Sequence, residues 1–302
     1  MNRSSASPIS VGIVIPAMNR ATQLMTAIES VRSQSFEDWE LLIVDDGSTD
    51  NTVALVKEVA RAEPRLRLIS HETTRGAQAA RNTGIRATLA AWIAFLDSDD
   101  EWLPESLSTR LETARKTDAE VVYSNCLSKY SDGIRPECEV SDVSNKPYQN
   151  LLRTPGPMFQ GMLVRREAIL AIGLLDESIV SYQEWDTSIR LARHCSFAYV
   201  SRPLFIYNRM TEDSISSDLA RDADGYLQIV KKHLMAIILR AGPTSAAAHF
   251  RYAAARYERA ELFAQARRCL VAAAACWPLH TRGIVRDFRH ARTYPSHEST
   301  GP

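Results

Sequence analysis

VGIVIP at residues 11–16, ELLIVDD at 40–46, RLRLIS at 65–70 and AWIAFLD at 91–97 decide the fold. Each is a short, nearly continuous apolar run, the pattern of a strand covered on both faces. Between them lie longer amphipathic stretches that read as helices: RATQLMTAIESVRSQ (20–34), TDNTVALVKEVARAE (49–63) and GAQAARNTGIRATLA (76–90). The alternation predicts an α/β architecture, a doubly wound and mostly parallel sheet with helices on its faces. In such sheets ligands bind beyond the carboxyl ends of the strands.

Working outward, a helix is expected over 104–116 and a strand at EVVYSN (120–125). The polar stretch 127–153 reads as a hairpin, turning at Ser131-Asp132-Gly133, followed by surface loops. GMLVRREAILAIG (161–173) is a strand running into a short helix, YQEWDTSIRLARH (182–194) an amphipathic helix, and FAYVSRPLFIYN (197–208) a pair of short strands. From residue 218 the character changes. YLQIVKKHLMAIILR (226–240) and the Ala-rich stretch 244–277, separated by Gly242-Pro243, predict a helical appendage over 218–302. The closing TYPSHESTGP is expected to be disordered.

Formal net charge is zero, which gives no electrostatic case for a nucleic-acid partner. The balance is uneven, because the chain beyond Gly242 carries Arg251, Arg256, Arg259, Arg267, Arg268, Arg282, Arg286, Arg289 and Arg292 against few acids. The cysteines Cys126, Cys138, Cys195, Cys269 and Cys276 form no C-x-x-C pair and read as reduced thiols. No apolar run approaches the ~20 residues of a spanning helix. The opening MNRSSASPIS has no apolar core of a secretory leader. A cytoplasmic chain is therefore expected, either free or peripheral at the inner face of the membrane. The cationic helices offer either a peripheral membrane contact or a homodimer interface, and solvated arginines are the simpler reading.

Polar clusters follow the first, second and fourth strands: Pro16 to Asn19, Asp45 to Asp50, and Asp97 to Asp100. Any one of them is ordinary turn and cap chemistry. Three on one edge of one sheet point to a site. Asp97-Ser98-Asp99-Asp100 gathers carboxylates that repel unless a cation or a hydrogen-bond network neutralises them. Hard oxygen donors suit Mg²⁺ or Mn²⁺, and an acidic helix start explains the cluster equally well. In LLIVDDGSTDNT, Ser48 or Asp50 can cap the next helix, whereas Asp46 directly after Asp45 has no such reason.

In this order and spacing, VGIVIPAMNR, ELLIVDDGSTDNT, RGAQAARNTGI, WIAFLDSDDEW and YQEWDTSIRLA resemble the inverting glycosyltransferases of the GT-A fold, the large family of bacterial polysaccharide enzymes. The resemblance covers roughly residues 10–216. It implies a catalytic domain at 1–217, with a nucleotide-binding half at about 9–103 and an acceptor half at about 104–217. A nucleotide-sugar donor, typically UDP-linked, and a saccharide or lipid-linked saccharide acceptor are implied, with Mn²⁺ or Mg²⁺ as cofactor. Pro16 and Asn19 would shape the nucleotide site, Asp46 would meet the base, and Arg81 would serve the nucleotide side or a structural ion pair. Asp97 and Asp99 would form the D-x-D motif, with Asp99 the metal contact and Asp97 or Asp100 the other candidate ligands. Glu184 would be the general base, and Asp186 the second candidate. Trp185 reads as core.

The chain departs from the pattern where relatives carry an aromatic at Met18, an acid at Gln183, an aspartate at Glu184 and a histidine at Met210. Arg209, or Ser214 and Ser216, could meet phosphate in place of that histidine. Two alternatives differ in class. A catalytically inactive sugar-nucleotide-binding protein is kept open by positions 18, 183 and 210. A nucleotidyltransferase would want a Gly-rich, lysine-bearing loop after the first strand. An oxidoreductase fails for want of G-x-G-x-x-G.

Overall fold

The computed structural model describes residues 10–136, 140–210 and 218–277. They fall into two compact units. One runs to Ser178 and resumes at Gln183; the other takes Ile179–Tyr182 together with the closing helices. The arginines beyond residue 277, Ser214, Ser216, Cys138 and the TYPSHESTGP end lie outside the described residues.

The first unit is organised by one sheet, nine-stranded among the described residues. Strands β1 (Val11–Ala17), β2 (Trp39–Asp45), β3 (Leu66–Ser70) and β4 (Trp92–Phe95) run parallel in the order β3-β2-β1-β4. Helices α1 (Gln23–Arg32), α2 (Thr52–Ala62) and α3 (Ala77–Ala87) connect them. β2 is buried at every position, and the apolar residues of β1 are buried as well, as continuous apolar runs require. The order turns back at β1, since β2 and β3 lie on one side and β4 on the other. A crevice therefore opens at the carboxyl ends of β1 and β4. Pairing of β1 with β4 ends at Val14↔Phe95, while pairing with β2 continues to Ala17↔Asp45. Pro16, which has no N–H to give, sits past the end of β4 and breaks no ladder bond.

Beyond β4 the sheet becomes mixed. β8 (Leu163–Arg165) is antiparallel to β4 and to β6 (Val121–Tyr130), β9 (Phe197–Asn208) is parallel to β6, and β5 (Glu101–Trp102) is antiparallel to β9. β7 (Gly133–Arg135) folds back on β6 through Tyr130↔Gly133, the hairpin expected from Ser131-Asp132-Gly133. Helices α4 (Ser106–Thr117), α6 (Arg166–Ala171) and α7 (Gln183–Leu191) fall in the segments read as helical. Three expectations need correction. Residues 197–208 form one long strand, because the register slip against β6 at Ser124/Asn125 accommodates Pro203 without a break. The stretch read as loops contains the short helix α5 (Pro147–Leu151), started by a proline at its first turn. Cys126 is disulfide-bonded, whereas Cys195, Cys269 and Cys276 are free thiols.

The second unit holds α8 (Leu219–Ala236), capped by Asp218 through the amides of Ala220 and Arg221. A π-turn over Ile237–Ala241 leads to α9 (Pro243–Arg259) and then α10 (Phe263–Cys276). Gly242, at φ 96°, and Pro243 make the break read from sequence. Not every arginine here is solvated. Arg256 pairs with Asp222 and stacks on Tyr252 at 4.5 Å, and Tyr182 donates its hydroxyl to the same Asp222 at 2.8 Å. Among the described residues no helix is long and apolar enough to cross a membrane.

Gly84 sets how closely α3 lies on β1. A Cβ there would meet the Val14 side chain at 2.5 Å, and Val14 is fully buried and stiff at χ1. Gly84→Ala is expected to destabilise the unit by about 1–3 kcal/mol, against any gain in helix propensity, as overpacking does. Thermal unfolding checks this, and an unchanged or raised Tm would mean that α3 is free to shift.

Candidate active site

The strand-end loops are tied to one another before any ligand is considered. Asn19 adopts φ 52°, a left-handed conformation that asparagine tolerates, and its N–H donates to Ser48 Oγ at 2.9 Å. Its side-chain Oδ1 accepts from Thr49 N at 2.8 Å, so the β1 and β2 loops are clamped together. Asp50 receives Thr52 N at 2.9 Å at the start of α2, whereas Ser48 serves Asn19 rather than the helix.

Asp46 is buried, and its carboxylate organises the loop that opens α3. Oδ1 accepts from Arg75 N at 2.9 Å and lies 2.7 Å from His71 Nδ1; Oδ2 accepts from Gly76 N at 2.7 Å. The far side of the His71 ring meets Thr83 Oγ1 at 2.9 Å. An ionised carboxylate offers about four acceptor positions, so three contacts leave capacity for one more donor. Met18 is 44 % exposed beside this loop, its sulfur 4.0 Å from Thr74 Oγ1.

The acidic cluster after β4 is neutralised from within. Arg81 on α3 is buried and pairs with Asp97 while donating to Gln78 Oε1 at 2.8 Å; its guanidinium lies over the Phe159 ring at 4.7 Å. Gln160 donates from one amide nitrogen to Asp97 Oδ2 at 2.6 Å and to Asp100 Oδ2 at 2.7 Å. Asp100 is 1 % exposed and also accepts from Asn208 N at 2.7 Å, where β9 ends. Burial, then the neighbouring charges of Asp97 and Asp99, push its carboxyl well above the usual carboxylate range. Asp97 and Asp99 themselves are half-buried.

The chain's later half reaches the same place. Glu184, in the first turn of α7, lies within Coulombic range of both Arg81 and Asp97. Burial raises its pKa; its own backbone N–H and Arg81 pull the other way, and Asp97 adds to the rise. The neighbour of Arg81 secures this arrangement. Asn82 is buried and exchanges hydrogen bonds with the Leu175 backbone at 2.9 and 3.0 Å, and donates to Glu177 Oε1 at 2.8 Å. Asp186 is fully buried and accepts from Arg190 Nε at 2.9 Å, and Arg190 ties down the carbonyls of Ile172 and Leu174. Asp186 thus anchors the approach to α7 and is shielded from any acceptor in solvent. Trp185 is core, donating Nε1 to Leu151 O at 2.7 Å. Arg209 stacks on Tyr207 at 5.1 Å and donates to Ser128 Oγ at 3.1 Å, and Met210 is 45 % exposed.

Among the described residues no three acidic, imidazole or thiol side chains converge into a ready-made cation cage. The donor chemistry still fits a hard divalent ion that arrives with a diphosphate, because Mg²⁺ is commonly held by one or two carboxylates plus substrate phosphates. Asp97 is held by Arg81 and Gln160, Asp100 by Gln160, and Asp99 stands half-buried beside them. On the opposite side of the balance, Arg81 Nε and Gln78 Nε2 are buried donors with no acceptor among the described residues. Two groups escaped the sequence reading. Gln160 and His71 belong to no motif, and their partners lie far away along the chain. Asn82 stood in plain view inside ARNTG, next to Arg81.

Known proteins resemble this chain in sequence and in fold. A β-1,3-glucosyltransferase of Escherichia coli, acting with UDP-Glc on α-D-GlcNAc-diphosphoundecaprenol, is 36% identical over 115 residues, 38% of this chain and 45% of that one. A GalNAc(5)-diNAcBac-PP-undecaprenol β-1,3-glucosyltransferase of Campylobacter jejuni is 26% identical over 232 residues, 73% of each chain. The match thus spans less than half of the first relative's length. Among solved structures, Staphylococcus aureus TarS 1-349 with UDP-GlcNAc superposes at TM-score 0.63 with 14% identity, covering 95% of this chain and 93% of that one. The mannosyltransferase PcManGT of Pyrobaculum calidifontis, with GDP-Man and Mn²⁺, gives 0.64 with 18% identity, covering 95% and 83%. These establish the GT-A fold. The profile of Glycosyl transferase family 2 matches residues 12–168, and the chain belongs to that family.

Proposed function

We propose that this glycosyltransferase moves a sugar from a UDP-sugar to a hydroxyl of a saccharide or lipid-linked saccharide acceptor, with inversion, in bacterial surface polysaccharide or glycoconjugate synthesis. The observation that carries the reading is Glu184, a half-buried carboxylate within Coulombic range of the Arg81–Asp97 pair. Glu184 takes the proton of the acceptor hydroxyl as that oxygen attacks the anomeric carbon, and the bond from that carbon to the diphosphate breaks on the opposite face. Arg81 keeps Asp97 neutralised beside the departing diphosphate, and Asp46 holds the loop at the base. A bound Mn²⁺ or Mg²⁺, held by Asp99, would supply positive charge to the leaving group. The similar enzymes whose names include UDP-Glc and diphosphoundecaprenol substrates support the donor and acceptor classes. An inactive sugar-nucleotide binder has no need of a base with a raised pKa, and the Glu184 environment favours the enzyme.

The test is transfer from a panel of UDP-sugars by the parent and Glu184→Gln. Loss of a general base is expected to cost about 10²- to 10⁴-fold in kcat with UDP affinity kept. Unchanged kcat would remove Glu184 from the chemistry. The pH dependence follows from the same group. A base acts ionised and Glu184 is raised above its ordinary value, so the acidic limb of kcat lies at higher pH than for a free glutamate. A profile that stays flat down to the usual carboxylate range would contradict this assignment.

For an acceptor carried on lipid, the helical unit presents a suitable surface. Phe263, Arg267, Arg268 and Val271 are exposed on α10, which carries no carboxylate, and Lys231, Lys232, Met235, Leu239 and Arg240 are exposed on α8 and the turn after it. Interleaved cations and apolar groups suit peripheral contact with anionic lipid, at about 1 kcal/mol per basic residue. Sedimentation with anionic vesicles is expected to retain the chain and Arg267→Glu/Arg268→Glu to release it. A dimer in solution with no vesicle binding would assign the face to self-association instead.

A further inference from the structure

His71 follows β3 directly, and its backbone N–H donates to Asp45 O at 2.8 Å, which sets the ring beside the end of β2. The side chain is 7 % exposed. Nδ1 lies 2.7 Å from Asp46 Oδ1, and Nε2 lies 2.9 Å from Thr83 Oγ1. An ionised carboxylate only accepts, so in the neutral ring Nδ1 carries the proton and Nε2 accepts from the threonine hydroxyl. The bond made at one nitrogen settles the role of the other.

The rest of Asp46 is held by groups that leave its carboxylate little to lean on. Its N–H donates to Ala17 O at 2.8 Å and its carbonyl accepts from Thr74 Oγ1 at 3.0 Å. Two backbone amides, Arg75 N and Gly76 N, reach the carboxylate. Among the described residues His71 is the one side chain bonded to it. The ring in turn is anchored on α3 by Thr83, two residues from Arg81. One imidazole therefore joins the loop after β2 to the helix that carries Arg81.

We propose that His71 is a specificity-determining positioning residue: braced by Thr83, it fixes the orientation of the Asp46 carboxylate so that the remaining acceptor capacity of Asp46 meets a nucleobase N–H. This rests on the reading of Asp46 at the base of a uridine nucleotide. Uracil presents an N–H at N3, where cytosine presents an acceptor. A carboxylate held in place meets the first and repels the second, and sites built on a hydrogen bond to a substrate N–H reject the analogue without it. A carboxylate left to turn can accept from the cytosine amino group instead, and the discrimination falls.

The test is calorimetric binding of UDP and CDP, with Mn²⁺ present, to the full chain and its variants. In His71→Asn the amide nitrogen takes the place of Nδ1 and keeps Asp46; in His71→Gln it takes that of Nε2, keeping Thr83 and losing Asp46. His71→Asn is expected to hold UDP affinity within about threefold, and His71→Gln to lose about 10- to 100-fold, the worth of a hydrogen bond to a charged group. The preference for UDP over CDP is expected to narrow about tenfold or more in His71→Gln alone. His71→Gln folded, by its thermal transition, yet equal to the parent in affinity and preference would overturn the proposal. So would His71→Asn losing as much as His71→Gln. Should either not fold, Thr83→Val decides: it frees the ring and is expected to weaken UDP about three- to tenfold, and unchanged binding overturns the proposal. Asp46→Asn separates the two readings. UDP binding absent from the parent, or equal in Asp46→Asn and the parent, would remove the uridine reading beneath the proposal; a loss in Asp46→Asn without one in His71→Gln would remove the role of His71 alone.

Discussion

Carboxylates crowded at the end of one strand repel each other, and the rest of the catalytic unit is arranged around that repulsion. Asp97, Asp99 and Asp100 follow β4 at the crevice between β1 and β4. Burial forces Asp100 toward its protonated form, and the other two worsen the strain. Relief comes from three separate parts of the chain: Arg81 on α3, Gln160 in a 3₁₀ turn, and the Asn208 amide at the end of β9. Each has its own support. Gly84 lets α3 lie against Val14, Arg110 and Trp102 pin Gln160, and pairing with β6 carries β9 to Asn208. The cluster is thus held together by groups of the protein itself.

The same network joins the two ends of the chemistry. Arg81 and Asn82 are adjacent on α3 and face different tasks, one toward Asp97 and the other toward the loop at Leu175 and Glu177. That loop leads to α7, and Asp186 with Arg190 fixes its carbonyls from the helix side. A short series of buried polar contacts thus links the Arg81–Asp97 pair to the helix that carries Glu184. With Glu184 as the proposed base, misplacement of any of them would move it relative to the leaving group, and positional errors of this kind are costly in rate.

Much of this could be read from the residues in order. Continuous apolar runs separated by amphipathic ones gave the parallel core, because burial on both faces leaves no alternation to confuse the pattern. Acids at strand ends marked the crevice, since the sheet's topology fixes where ligands go. What escaped was long-range. Gln160 meets Asp97 and Arg110 supports Gln160 only once the fold is closed, and a neutral amide among Pro-rich loops carries no signal. Residues 197–208 looked like two strands because Pro203 reads as a breaker until the bulge in β9 opposite Ser124–Cys126 is known. Asp46 stood out in its motif, but its partners His71, Arg75 and Gly76 were invisible there.

The account stands or falls on Asp99 as the link between protein, cation and diphosphate, and calorimetry of UDP with and without Mn²⁺ on the parent and Asp99→Ala tests it most directly. It predicts that Mn²⁺ tightens UDP binding to the parent, that the tightening disappears in Asp99→Ala, and that metal-free UDP binding is the same in both. Mn²⁺-dependent binding that persists in Asp99→Ala would contradict it and return Asp97 or Asp100 to the metal.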